Sequence, residues 1–278
     1  MSLIDANDLT DEQLNRIVSL VKSSAGINLD QGKQALVRAR LAKRLRELGM
    51  ASYREYVEYL TRRDSVDEFT TLLDVLSTNV TSFFREPAHF ELLRENVLPE
   101  LTERAGAGSR RVRIWSAGCS TGEEPYSIAV VLREVLPDID AWDAKILATD
   151  LSTRALERAK DGVFDAGRLE AVPPAVRYRY FTRSGDREGG WRVKECLRSL
   201  VHFARLNLMG RWPMRGPFDV IFCRNVMIYF DKPTQERLVQ RFHGLLRPAG
   251  YFFIGHSESL TGVTHRFRYL QPSAYVKP

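Results

Sequence analysis

The sequence predicts an α/β protein with a helical amino-terminal domain, and three observations carry that expectation. From residue 110 onward short apolar runs alternate with helical patterns, which implies a mostly parallel sheet with helices on both faces. The apolar run Val112 to Trp115 passes into a helix through the small-residue turn Ser116-Ala117-Gly118-Cys119-Ser120-Thr121-Gly122, the kind of connection at which such sheets bind nucleotides. Residues 1 to 76, by contrast, hold helix start and stop signals and no alternating strand pattern.

Taken in order, capping-box signals at Thr10 to Gln13, Ser52 to Glu55 and Ser65 to Glu68 start helices, and Gly26 and Gly49 stand where helices stop. Residues 77 to 98 read as a linker: a polar, β-branched stretch to Arg85, then a helix opened by Pro87 and running towards Pro99. Residues 99 to 278 read as the sheet domain. Its strands are expected at 112–115, 145–149, 201–204, 218–223 and 250–255, and its helices at 123–136, 153–161 and 232–246. Between Pro173-Pro174 and Val201 the alternation breaks, and glycines at 185, 189 and 190 mark turns. We expect a small antiparallel β-subdomain inserted at 175–200, with Trp191–Cys196 pairing with Arg198–Phe203.

A chain of 278 residues with 44% hydrophobic and 27% charged residues has the composition of a globular protein with a sizeable core. No apolar stretch reaches the roughly 20 residues needed to cross a bilayer, and the first residues are acidic, so a cytoplasmic location without membrane insertion is expected. Cys119, Cys196 and Cys223 lack the spacing of a zinc site or a disulfide framework, so no metal is expected. The net charge of +6 points to an acidic partner, nucleic acid or protein. Residues 31 to 48 concentrate it, with Lys33, Arg38, Arg40, Lys43, Arg44 and Arg46 against the single acid Glu47.

The glycine turn narrows the ligand. A turn built for a dinucleotide presents bare helix N–H groups to a pyrophosphate; this one is followed by Glu123 and Glu124. Carboxylates suit the positive end of the helix dipole but repel phosphate. A nucleoside carrying positive charge fits better, and S-adenosylmethionine is the evident candidate. Asp150, at the end of the strand 145–149, is placed to accept hydrogen bonds from ribose hydroxyls. The G-x-G-x-x-G pattern of dinucleotide binders is absent.

Several blocks together resemble one family over nearly the whole chain. They are Asn79-Val80-Thr81-Ser82-Phe83-Phe84-Arg85, Trp115-Ser116-Ala117 running through Gly122-Glu123-Glu124-Pro125-Tyr126-Ser127, Asp150, Leu206-Asn207-Leu208, the stretch from Phe222-Cys223-Arg224-Asn225 to Tyr229-Phe230, and Gly255-His256-Ser257-Glu258. In these the sequence is similar to the CheR family of chemotaxis receptor methyltransferases. The resemblance implies a Rossmann-like methyltransferase domain with an amino-terminal helical domain and an inserted antiparallel β-subdomain. It also implies methyl transfer from S-adenosylmethionine to receptor glutamates, giving methyl esters and S-adenosylhomocysteine. By position, Asn79, Thr81, Arg85, Glu124, Asp150, Asn207, Leu208, Cys223, Arg224 and Asn225 are the implied cofactor contacts, and Tyr229 matches the family's active-site tyrosine.

That chemistry suits these residue types. A glutamate is already ionised at neutral pH and the sulfonium methyl is already activated, so neither a base nor a metal is required, and alignment of the reacting atoms is the main task. Arg85 is expected to hold a carboxylate through its fork of donors, and Tyr229 to aim the substrate oxygen. The segment 31–48 places Leu36, Val37, Leu41, Leu45 and Leu48 at helical spacing opposite its cations. Arg40, Arg44 and Arg46 are therefore the expected contacts for the acidic helices of a receptor. A receptor tail peptide is a further partner that the resemblance raises, at the β-subdomain. His256 and Glu258 read as support for the cofactor loops. Two rivals stand beside this reading, a nucleic-acid methyltransferase and a catalytically silent receptor adaptor. Asn225 to Tyr229 lacks the prolines of the Asn-Pro-Pro-Tyr loop that nucleic-acid amino methylation uses, and nucleic acid is not expected as a partner.

Overall fold

The computed structural model describes residues 9–28, 34–62, 66–76, 80–105, 110–136, 138–185 and 189–278. Ser65 and Asn79 lie outside the described residues, so the capping signal at Ser65 and the proposed contact at Asn79 are not placed.

Helices α1 (Asp11–Ala25), α2 (Gln34–Leu48), α3 (Tyr53–Leu60) and α4 (Val66–Leu76) form the amino-terminal helical domain. The capping box at Thr10 forms as expected: its hydroxyl accepts from the Gln13 N–H at 3.3 Å and the Gln13 side chain accepts from the Thr10 N–H at 3.1 Å. Gly26 ends α1 at φ +73°. Leu14, Ile17, Val21 and Ala25 turn one face of α1 inward, where they join Val37, Leu41 and Leu45 of α2 and Tyr53, Tyr56 and Leu60 of α3 in one core.

The stretch read as a linker is, in its second half, part of the sheet domain. Helix α5 (Ala88–Leu92) continues through a π-helical turn, Leu93–Val97, into α6 (Leu98–Ala105), running past Pro99. A proline ring in a helix clashes with the carbonyl four residues back, and the wider turn immediately before it makes room. Phe90, Leu93, Val97 and Leu101 pack into the largest core.

The strands are β1 (Arg111–Ala117), β2 (Asp143–Asp150), β3 (Val163–Asp165), β4 (Phe181–Arg183), β5 (Gly190–Val193), β6 (Val201–Arg205), β7 (Phe218–Cys223), β8 (Leu246–Ile254), β9 (Arg268–Gln271) and β10 (Ala274–Val276). Between them run helices α7 (Glu123–Val135), α8 (Thr153–Asp161), α9 (Pro174–Tyr180), α10 (Glu195–Arg198) and α11 (Lys232–Leu245). The main sheet has the order β6-β2-β1-β7-β8-β10-β9; β6 through β8 run parallel, while β10 is antiparallel to both β8 and β9. Alternate residues serve opposite faces, as the two-residue period of a strand requires. Ile114, Val220 and Phe222 enter the core under α5 to α7, and Trp115, Ile221 and Cys223 the core under α11. The central strand β1 has β2 on one side and β7 on the other, and this reversal of strand order opens a crevice at the carboxyl ends.

The β-subdomain is a three-stranded antiparallel sheet of order β3-β5-β4, so its strands lie between 163 and 193. The expected pairing of Trp191–Cys196 with Arg198–Phe203 does not form. Trp191 pairs with Phe164 and Arg183, a helical turn occupies 195–198, and Val201–Arg205 joins the edge of the main sheet beside Ile146–Asp150. Val201 and Phe203 pack there against Cys119, Ala148 and Leu156, an apolar cover that a small hairpin would not offer them.

Candidate active site

Two chain reversals at the carboxyl ends of β1 and β2 build one side of the crevice. Beyond β1, Gly118 takes φ +87° and Gly122 φ +98°, a region that glycine enters without a Cβ penalty. Packing imposes the same choice, because a Cβ on Gly118 would stand 2.3 Å from Val226 Cγ2. The N–H groups of Gly118 and Cys119 donate to the Thr149 carbonyl at 2.7 and 2.9 Å, pinning the turn to the end of β2. There the Asp150 carboxylate accepts from the Ser120 N–H at 2.7 Å and the Ser152 N–H at 2.9 Å. Burial pushes the Asp150 carboxyl above its ordinary pKa, with those two donors pulling the other way. Each oxygen keeps a lone pair for a further donor.

Glu124, in the first turn of α7, faces the same crevice. Its Oε1 accepts from Ser116 Oγ at 2.7 Å and its Oε2 from Arg224 Nη1 at 3.0 Å. Burial pushes this carboxyl up, and Arg224 and Ser116 oppose it. The Arg224 guanidinium also donates to Glu86 Oε2 at 3.0 Å and to the Arg85 carbonyl. Burial works against ionised Glu86, but Arg224 outweighs it and holds that carboxyl below the usual range. One buried guanidinium thus serves two carboxylates, of which one lines the crevice. Close by, burial and Arg224 push the His89 imidazole down to about 3, which leaves it neutral.

A third wall is the loop from Asn225 to Phe230. Glu258 fixes it by accepting N–H groups from Gly255 at 2.6 Å, Asn225 at 2.9 Å and Ile228 at 3.1 Å. Tyr229 lies in this loop and lines the crevice, and its carbonyl accepts from the Asn28 N–H at 2.7 Å. Asn207 Nδ2 donates to the Ser24 carbonyl at 2.6 Å. The chain at the end of α1 is therefore bound to two loops of the sheet domain, and the helical domain contributes Ala25, Ile27, Leu36 and Arg40 to the crevice. The space enclosed is about 360 Å³, within the range of sites for small organic ligands.

Residues 79–276 match a family model described as "CheR methyltransferase, SAM binding domain", and residues 12–77 match "CheR methyltransferase, all-alpha domain". The chain belongs to the CheR methyltransferase family. It is 46% identical over 246 residues to a probable chemotaxis protein methyltransferase of Rhizobium etli, covering 87% of this chain and 91% of that protein. It is 43% identical to chemotaxis protein methyltransferase 2 of Pseudomonas aeruginosa, covering 96% and 93%, and 40% identical to the chemotaxis protein methyltransferase of Escherichia coli, covering 96% and 91%. The protein is accordingly an S-adenosylmethionine-dependent methyltransferase.

Within this CheR structure, Thr81, Arg85, Glu124, Asp150, Asn207, Leu208, Arg224, Asn225 and Tyr229 all line the one crevice. Arg85 Nη1 donates to the Val80 carbonyl at 2.9 Å, and Asn207 spends its amide on Ser24 and its oxygen on the Met209 N–H at 2.9 Å. Cys223 does not join them: it is fully buried at the end of β7, with its side chain in the core under α11. An odd position in β7 points to that face, whereas Arg224 and Asn225 follow after the strand has ended.

The acidic pair of the helix start also divides. Glu123 is fully buried and turns away, accepting from Thr121 Oγ1 at 2.6 Å and from Arg168. The basic helix α2 is corrected further. Arg44 is committed within the helical domain, to Glu68 at 2.6 Å and Glu47 at 3.1 Å. Arg40 lines the crevice and donates to the Leu76 carbonyl at 2.7 Å, so it is half-buried where a solvent-facing cation was expected. Arg46 is exposed, with Nε on the Ala42 carbonyl of its own helix at 3.2 Å. Leu36, expected in the helical core, is 47% exposed and lines the crevice. Sequence reading missed this contribution of the helical domain, and an apolar residue at the edge of the inward face of α2 is its one local signal.

Proposed function

We propose that this enzyme transfers a methyl group from S-adenosylmethionine to the γ-carboxylate of glutamates in acidic cytoplasmic helices of chemoreceptors. The observation that supports it most is the convergence of Glu124, Asp150 and Tyr229 on one crevice of about 360 Å³. Carboxylates there suit a nucleoside with a cationic end and disfavour a pyrophosphate. S-adenosylmethionine, when bound, supplies an activated methyl group. Asp150 has lone pairs for ribose hydroxyls, Glu124 offers negative charge to the cationic methionine end, and Arg85 is the donor for its carboxylate. Leu151, Leu206 and Leu208 give apolar surface beside Asp150 on which a purine can lie.

Tyr229 holds the acceptor. Its hydroxyl is assigned to hydrogen-bond one oxygen of the incoming glutamate, so that the other points at the methyl carbon. A glutamate is ionised at neutral pH, so no residue of the chain need remove a proton. Orientation of two such reactants is worth about 7–11 kcal/mol when the geometry is held, and the Glu258 clamp on the Tyr229 loop is the device that holds it. The exposed side of α2 at Arg46, with Arg40 at the crevice, is the surface assigned to the receptor helix. A receptor tail peptide is assigned to the β-subdomain. The test is methylation of a receptor cytoplasmic fragment by the purified enzyme, next to the same fragment with its candidate glutamates changed to glutamine. Label in the first and none in the second is expected; equal label in both rejects the glutamate assignment.

A further inference from the structure

Beside Arg224, Glu86, His89 and His256 each bring one potential donor atom into a cluster whose members lie within 4.8 Å of one another. His89 is fully buried, and neither of its ring nitrogens has a hydrogen-bond partner. Buried polar atoms are nearly always satisfied, and an orphan pair on one ring asks what the ring is for. Its Nδ1 stands 3.6 Å from Glu86 Oε2, too long for a hydrogen bond. The separation is close to the edge of about 3.4 Å that joins two ligands of a tetrahedral ion bound at about 2.0–2.1 Å.

Phe253 packs against the His89 ring at 5.3 Å between centroids and His256 at 5.1 Å, so the ring is held and cannot swing to solvent for partners. His256 is exposed, on the turn after β8, and gives an ion its entry. We infer that Glu86, His89 and His256 form a binding site for a zinc-like divalent ion, with a fourth position open to water. Two imidazoles and one carboxylate favour such a borderline ion over magnesium or calcium, which prefer all-oxygen sets. No local spacing announces the set, because Glu86 precedes α5, His89 stands three residues on in its first turn, and His256 comes from beyond β8.

The site is joined to the crevice. Arg224 Nη2 shares Glu86 Oε2 at 3.0 Å and Asn225 Nδ2 lies 3.4 Å from Oε1, so an ion on Glu86 competes with the guanidinium that also holds Glu124. Metal occupancy is therefore expected to alter S-adenosylhomocysteine affinity.

Tag-free protein, stripped with a chelator, is titrated with Co²⁺ followed by visible absorption and with Zn²⁺ followed by calorimetry. The expected result is one equivalent of tetrahedral Co²⁺ with nitrogen and oxygen ligands, displaced by Zn²⁺. His89→Gln and His256→Ala should each weaken Co²⁺ binding by ~10-fold or more. His256 is exposed, so its variant is expected to fold and decides the matter should His89→Gln fail to fold. Absence of stoichiometric binding, unchanged affinity in His256→Ala, or a thiolate-to-cobalt absorption band pointing to a cysteine would each overturn the assignment.

Discussion

Arg224 donates to Glu124 across 3.0 Å from a position only 6% exposed. The same guanidinium reaches Glu86, itself mostly buried. Replacing it by Met leaves two carboxylates facing each other without a cation. Breaking a buried ion pair from one side costs about 3–5 kcal/mol, and urea denaturation of Arg224→Met should show a loss of that order. Cofactor affinity should fall with it, since Glu124 loses the partner that positions it.

Asp150 gives the pH dependence. Burial raises its carboxyl above the ordinary value, and the ionised form is the one that accepts ribose hydroxyls. On acidification it protonates earlier than a free aspartate, so S-adenosylhomocysteine affinity should begin to fall before the usual aspartate range is reached. Calorimetry across pH should show proton release on binding along that acid limb. Asp150→Asn should bind more weakly at every pH and flatten the limb, leaving the part that Glu124, also raised by burial, contributes.

Tyr229→Phe should separate binding from chemistry. The ring's packing is kept, and what is lost is a hydrogen bond to a charged acceptor, worth about 1.5–3 kcal/mol. If that bond is made in the transition state, kcat drops by ~10- to 100-fold while S-adenosylhomocysteine affinity stays near wild type. Initial rates with receptor fragment, paired with calorimetry, measure both.

Much of this site was legible in the sequence because its chemistry is local. A glycine turn, the acid after strand 145–149 and the loop at Tyr229 each announce themselves within a few residues. What was illegible depends on partners far along the chain. Arg44 looks like any other cation on α2 until Glu68, on α4, is found 2.6 Å away. Leu36 matches the apolar period of α2, yet it is 47% exposed and lines the crevice. Val201–Phe203 alternates like a hairpin strand, and only the open edge of β2 explains where it goes. The short strands β9 and β10 were missed as well, since three or four residues give too little period to read.

The basic helix now yields a sharper prediction. Arg46→Ala should raise the KM for receptor and flatten its salt dependence, because exposed charges are screened beyond about 8 Å at physiological ionic strength, while leaving cofactor affinity alone. Arg44→Ala should do the reverse: it removes the cation from Glu68, whose side chain is 4% exposed and keeps the Tyr56 hydroxyl at 2.8 Å, and should cost about 3 kcal/mol of stability without a specific effect on receptor KM. Arg40→Ala, at the crevice wall, should move cofactor and receptor affinities together. Denaturation curves and KM values at two salt concentrations distinguish the three.

The most direct measurement follows the bond formed. Enzyme, receptor cytoplasmic fragment and S-adenosylmethionine carrying a labelled methyl group are incubated, and the recovered fragment is treated with mild base. A glutamate methyl ester releases its label as methanol, so near-complete release is expected from wild-type reactions, with the same base-labile label appearing ~10- to 100-fold more slowly from Tyr229→Phe. Label that stays on the protein through base, or that passes to added DNA or RNA in place of receptor, would contradict it.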